Sequence, residues 1–380
     1  MKIAVVSAAI SNKSGSRAPV ELAVHLAKLG HIVSFFAFNT PFEQEAQEYL
    51  KQNKVQTFIL GSPSICGRWA AACKLLKLLE LLKIEIISTH CTFPLSVASW
   101  LSRKPVVKTY YGLQFFSWNA MNWREKLVAG LLDKIIVWRE WLTFRMAPKV
   151  VAISGYLSKE AKGILGKEAE FIYIGVSQNP NSKIPASPAG RQSSNQIQMS
   201  KYKNATEVLV LSVSRIVPYK GFDVLIQALK KIDLPWRLVV VGSYGKESYF
   251  QKIKALADER VTFLRGISDS ELYDLYDLCD LYSLGGKVWE GFGMPFLEAG
   301  LHSKPLVAFS HSALPEVVLH GKTGYLAETD KEFAQYLEKL IKDKDQRQKM
   351  GQSALEHSQS FTWQKCAESY EKVFEKQLKT

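Results

Sequence analysis

Two glutamates and two cations carry residue types and spacings suited to sugar and phosphate chemistry. Glu290 and Glu298 bracket the run W-E-G-F-G-M-P-F-L-E-A-G, residues 289–300. A carboxylate accepts hydrogen bonds from vicinal hydroxyls, so a pair on one turn can grip a sugar or a ribose. Gly291 and Gly293 allow close approach of a ligand to the backbone. Pro295 suits the first turn of a helix that carries Glu298. Free N–H groups at such a helix start suit phosphates or hydroxyls. Arg215 and Lys220 lie in S-V-S-R-I-V-P-Y-K-G, residues 212–221, at the end of an apolar run. A guanidinium fork and a mobile ammonium could hold a diphosphate and stabilise it as it leaves.

Other candidates are less specific alone. His90 lies in I-I-S-T-H-C-T-F-P-L, just past a strand-like run. A neutral imidazole there could bond a sugar hydroxyl or orient an acceptor, although a lone histidine is often a satisfied structural residue. Gly15 and Ser16 fall in an early loop that lacks the G-x-G-x-x-G dinucleotide fingerprint. Gly242, Phe292 and Met294 complete the expected donor-binding set. The D-x-D at Asp343 and Asp345 lies in a charged helical stretch, away from a strand end. We therefore expect no metal, and no cofactor apart from the substrate itself.

These groups need a scaffold, and the pattern supplies one. Short β-rich runs alternate with helical spacing: Lys2–Ser7, Ala18–Leu29, Ile32–Phe38, Glu43–Asn53, Val55–Leu60, Arg68–Lys83, Ile84–Thr89 and Val106–Tyr110. Alternation of this kind predicts βαβ units on a parallel sheet. It restarts with Val208–Val213, Gly221–Lys230, Trp236–Val241 and Lys246–Ala257. The expected division is a Rossmann-like domain over 1–177, a polar linker over 178–206, a second such domain over 207–360, and a closing amphipathic helix over 361–380. A cleft between the carboxyl ends of two such sheets is where ligands are expected.

Composition narrows the classes. The chain has 380 residues and a formal net charge of +13. Residues 1–175 hold 22 Lys and Arg against 12 Asp and Glu, so +10 of that charge lies in the first half. An anionic partner is one reading and solubility is the other. Arg68–Lys83 has leucines and lysines at spacings that suit an interfacial helix. Trp118, Trp123, Trp138 and Trp141 stand among basic residues, as at bilayer interfaces. Five scattered cysteines and a strand-like start predict a cytoplasmic protein, with peripheral attachment to the inner membrane face as the membrane reading. No nucleic-acid motif accompanies the charge.

Taken together, the motifs resemble the family 4 retaining glycosyltransferases of the GT-B fold. Glu290 and Glu298 match that family's pair of glutamates with seven residues between them, and Arg215 and Lys220 match its R-x4-K pair. Pro315–Gly324 and the F-T-W-Q-K near Trp363 resemble its later segments. The resemblance implies two Rossmann-like domains facing across a cleft, with the last helix crossing back to the first domain. It implies that Glu290 contacts the donor sugar, that Glu298 contacts the ribose, and that His90 lies near the transferred sugar and acceptor. Gly15 and Ser16 match the position of the loop that meets the donor phosphate. The implied partners are a nucleotide-sugar donor, UDP- or GDP-linked, and a glycan or lipid-linked acceptor of the cell envelope. Some positions depart from the pattern: Tyr111 stands where the family often has histidine, the common small-residue run after Glu298 is altered to E-A-G-L-H-S-K-P, and Ile174 and Ser177 replace a polar and an acidic residue. A non-catalytic nucleotide-sugar-binding protein of the same fold is the alternative.

Overall fold

The computed structural model describes residues 1–10, 17–38, 43–62, 64–90, 94–112, 138, 141–176, 202, 204, 206–243, 245 and 247–379. Trp118, Trp123, Gly15, Ser16 and most of the expected 178–206 linker lie outside them. The described residues form two compact units. The first runs to Gly175 and takes in the chain again from Phe361, and the second covers Val176 to Ser360.

The first unit carries β1 (Lys2–Val6), β2 (Ile32–Ala37), β3 (Gln56–Ile59), β4 (Ile86–Thr89), β5 (Val106–Tyr110), β6 (Lys149–Ala152) and β7 (Ala169–Phe171). They pair in parallel in the order β3-β2-β1-β4-β5-β6-β7. The second unit carries β8 (Val208–Val213), β9 (Trp236–Val241), β10 (Val261–Leu264), β11 (Leu281–Ser283), β12 (Leu306–Phe309) and β13 (Gly324–Ala327). Its order is β10-β9-β8-β11-β12-β13, again parallel. Both units are therefore Rossmann-like. In both, the chain winds outward from the first strand, then returns and continues on its other side. The central strands are buried on both faces, which explains their unbroken apolar runs such as V-L-V-L-S-V.

The helix Ile65–Leu81 corrects one expectation. Its Ala71, Ala72, Leu75 and Leu79 are buried in the core, with Leu76, Leu78 and Leu82 packed against that cluster. The leucine face is thus spent on the sheet rather than left for a bilayer, because a Rossmann helix needs such a face. Trp69 and Leu81 remain exposed on it.

The closing helix, Trp363–Lys379, belongs to the first unit and packs on the helix Arg17–Lys28. Its buried Tyr370 shares a 2.8 Å hydrogen bond with Thr109 of β5, and Glu371 lies 2.8 Å from His31 Nε2. A Cβ at Gly175 would stand 2.2 Å from the backbone nitrogen of Trp363, so only glycine permits that contact. The Asp343 carboxylate of the D-x-D caps the helix Lys344–Ser358, accepting from Gln346 N.

Candidate functional site

The middle of the second sheet lies between β8 and β11, where the strand order reverses. Loops leaving the carboxyl ends of those two strands diverge, and ligands of open α/β sheets bind there. The Arg215 and Lys220 segment leaves β8, and the Glu290 segment leaves β11. The two loops touch through glycines. Gly221 has φ +66°, and a Cβ on it would meet the Gly285 carbonyl oxygen at 2.0 Å. A Cβ on Gly285 would meet the Gly221 carbonyl oxygen at 2.3 Å. This backbone contact brings together side chains 70 residues apart in the chain. Lys220 Nζ donates to Glu290 Oε2 at 2.5 Å, with the two side chains only 10% and 14% exposed. A nearly buried pair of this kind is costly to break by removing one partner.

Arg215 stands exposed beside the pair, its Nη2 donating to the Tyr219 hydroxyl at 2.6 Å. Gly242 supports Arg215's loop: a Cβ there would lie 1.8 Å from the Ser214 carbonyl oxygen, so only glycine allows the two backbones this close. Gly293, at φ +92°, caps the helix Met294–Leu301, and Pro295 occupies its first turn. Gly291 is buried and Met294 half-buried, while Phe292 is packed inside the unit at 3% exposure.

Glu298 projects from that helix and accepts from the hydroxyl of Tyr276 at 3.0 Å. Tyr276 is fully buried in the helix Asp269–Leu278, and His302 stacks on it at 5.4 Å. Burial holds the Tyr276 phenol well above its ordinary range, and the Glu298 charge adds to this. The proton therefore stays on the phenol, and Glu298 keeps a permanent donor. Tyr282, between the loops, donates to the Val213 carbonyl at 2.9 Å. Its phenol is raised chiefly by burial, and the charges of Glu290 and Glu298 both reach it. Reasoning from sequence missed Tyr276. It lies 22 residues before Glu298, in a helix whose local pattern shows only an amphipathic face.

His311 was also missed. It follows β12, and its Nε2 donates to the Gly286 carbonyl at 2.8 Å. A carbonyl can only accept, so Nε2 carries the proton. Burial holds this imidazole below its usual range, while the Gly286 bond and the Glu290 charge oppose that.

His90 belongs to the first unit and occupies that sheet's corresponding position, just past β4 beside β1. Both of its ring nitrogens are engaged: Nε2 lies 2.9 Å from Ser88 Oγ and Nδ1 lies 2.7 Å from the Tyr111 hydroxyl. Burial, with help from the Lys108 charge, pushes its pKa down to about 3. The ring is neutral near pH 7, and its bonding is complete within the unit. Tyr111, the departure from the family pattern, is thus its partner. Gly15 and Ser16 lie outside the described residues.

Two family models match the chain: "Glycosyltransferase Family 4" over residues 16–179 and "Glycosyl transferases group 1" over residues 194–357. The chain belongs to the family 4 glycosyltransferases. An uncharacterised glycosyltransferase of Methanocaldococcus jannaschii is 27% identical over 301 residues, which cover 77% of this chain and 75% of that protein. The D-inositol 3-phosphate glycosyltransferase of Corynebacterium aurimucosum is 31% identical over 179 residues. That match covers 44% of this chain and 42% of the relative's own length. Among solved structures, Anabaena HepE in complex with UDP and glucose superposes with a TM-score of 0.74 at 20% identity. It covers 99% of this chain and 100% of the Anabaena chain, and shows the shared GT-B fold. The Lys220–Glu290 pair and the Tyr276–Glu298 bond are the local architecture of this glycosyltransferase.

Proposed function

We propose that this family 4 member transfers a hexose-type sugar from a UDP- or GDP-linked donor to a glycan or lipid-linked acceptor of the cell envelope, with retention of anomeric configuration. The observation that carries this reading is the Lys220–Glu290 pair at the sheet reversal, with Arg215 exposed beside it. A diphosphate arriving there meets two cations. It draws Lys220 from Glu290 and frees that carboxylate for a sugar hydroxyl. Glu298, steadied by Tyr276, takes the ribose hydroxyls. The acceptor hydroxyl attacks the anomeric carbon on the face from which the diphosphate departs. The bond from that carbon to the phosphate oxygen breaks, and the acceptor proton passes to the departing phosphate. Arg215 and Lys220 stabilise the charge that develops, so no metal is required. His90 is assigned to the acceptor side as a neutral imidazole.

A thermal-shift screen across nucleotide sugars tests the donor assignment, because a bound donor raises apparent stability by mass action. One nucleotide-sugar class should stand out, and a flat profile across all of them would refute the reading. A transfer assay with wild type, Glu298→Gln and Arg215→Ala tests the site. Steep loss is expected in both variants, and near-wild-type rates in both would remove these residues from it. Donor binding without turnover would favour the non-catalytic alternative.

Peripheral attachment to an anionic membrane is proposed on narrower ground. The first half is basic, and Trp69, Leu81, Trp100, Leu101 and Trp138 are exposed there. No helix of the described residues is long and apolar enough to cross a membrane. Flotation with vesicles of anionic lipid at low salt should carry the protein upward, and its absence would end this reading.

A further inference from the structure

The loop that carries Glu290 is tied down by its backbone. Gly285 and Gly286 press on the segment Tyr219–Gly221, where added Cβ atoms would approach to between 2.0 and 2.9 Å. The other two ties come from one short segment after β12. Ala313 N–H donates to the Glu290 carbonyl at 3.2 Å, and His311 Nε2 donates to the Gly286 carbonyl at 2.8 Å. Ser312 between them adopts φ +51°, a left-handed conformation that a serine holds only under constraint. The segment therefore grips the Glu290 loop at both ends of Gly286–Glu290.

These ties matter because the side-chain tie is temporary. The Glu290 carboxylate is held by Lys220. Once a donor diphosphate takes Lys220, as the proposed function requires, that fixing is lost at the moment Glu290 must meet the sugar. What then holds the loop is backbone contact and the His311 bond.

We propose that His311 is a positioning residue for transfer: through the Gly286 carbonyl it keeps the Glu290 loop in place after Lys220 turns to the diphosphate. The requirement is an N–H donor at the reach of Nε2. A glutamine amide extends about that far and an asparagine amide does not. His311 bonds Gly286 and Ser312 and forms no hydrogen bond with Arg215, Lys220 or Glu298, and the Lys220 charge reaches it only through space, so its loss should leave the nucleotide's own affinity nearly intact.

This inference rests on the proposed function, and the experiment separates the two. Turnover, affinity for free UDP and GDP, and thermal unfolding are measured for wild type, His311→Leu, His311→Gln and His311→Asn. The Leu variant should lose about ten- to a hundredfold in kcat, the scale of a misplaced reacting group, with unchanged nucleoside diphosphate affinity. The Gln variant should recover most of that loss, and the Asn variant little. Wild-type kcat in the Leu variant would overturn the proposal, and so would parallel loss of kcat and nucleotide affinity. Should the Leu variant fail to fold, the Gln and Asn variants decide, and equal rates in those two overturn it. Failure of the wild type to bind any nucleotide sugar would instead defeat the functional reading itself.

Discussion

The reversal points of the two sheets share a topology and differ in charge. In the second unit, loops from β8 and β11 meet as an ammonium on a carboxylate, with an exposed guanidinium beside them. In the first unit, the loop after β4 presents a neutral imidazole tied to a serine and a tyrosine. Opposite charges close together form a site that a stronger anion can enter by exchange, displacing Glu290 from Lys220. A neutral, fully bonded ring offers no such exchange. Among the described residues, the same strand order thus carries an ion pair at one reversal point and a bonded neutral imidazole at the other.

Substitutions can break or sharpen that contrast. The largest effect is expected from Glu290→Gln, which removes the carboxylate while keeping its shape. Transfer should fall by about a thousandfold, the range for losing a group aimed at developing charge. A loss of less than about fivefold in the measured kcat/KM would place Glu290 outside the chemistry. Gly221→Ala comes next. Its φ of +66° and the 2.0 Å approach to Gly285 leave no room for a methyl group. Unfolding should shift down by about 2 kcal/mol or more, and donor binding should weaken with it, since the loop contact that pairs Lys220 with Glu290 is pushed apart. An unshifted denaturation midpoint would show that the loops yield freely.

Tyr276→Phe is a smaller, cleaner cut. It deletes one hydroxyl from a buried ring and leaves Glu298 without its donor. Donor KM should rise about tenfold while kcat holds, matching one hydrogen bond to a charged group. Equal KM values in the two proteins would confine Tyr276 to packing.

The smallest effect belongs to His90 and is read by pH. Burial pushes its pKa in the folded protein from the ordinary 6.5 down to about 3. Between those values the unfolded chain binds a proton that the folded one refuses, so this residue's contribution is complete above about pH 6.5 and is lost as pH falls toward 3. His90→Gln should flatten the decline of Tm across that window. Identical Tm profiles would mean that the ring is not held neutral. The rate of the wild type should likewise show no titration assignable to His90 between pH 5 and 8.

Much of this protein could be read from its order of residues. Alternating apolar strands and amphipathic helices specify two parallel Rossmann-like units, because hydrophobic periodicity is a local property. The glutamate pair and the R-x4-K pair were equally legible, since each lies within ten residues of its partner and of the turn that presents it. The expected helix Arg68–Lys83 shows where local pattern stops. Its leucine face was visible, but whether that face met lipid or a sheet was not, and the sheet claimed it.

Only the tertiary structure decided which groups complete the site. Tyr276 reaches Glu298 from 22 residues upstream, and His311 reaches Gly286 from 25 residues downstream. At Gly242, the backbone of one loop lies on the Ser214 carbonyl of another. His90 is bonded at both nitrogens, one of them to Tyr111, 21 residues further along the chain. The reason is common to all four. Sequence spacing sets which residues share a turn or a helix face, while hydrogen bonds and close approaches between distant segments depend on how strands are ordered in the sheet.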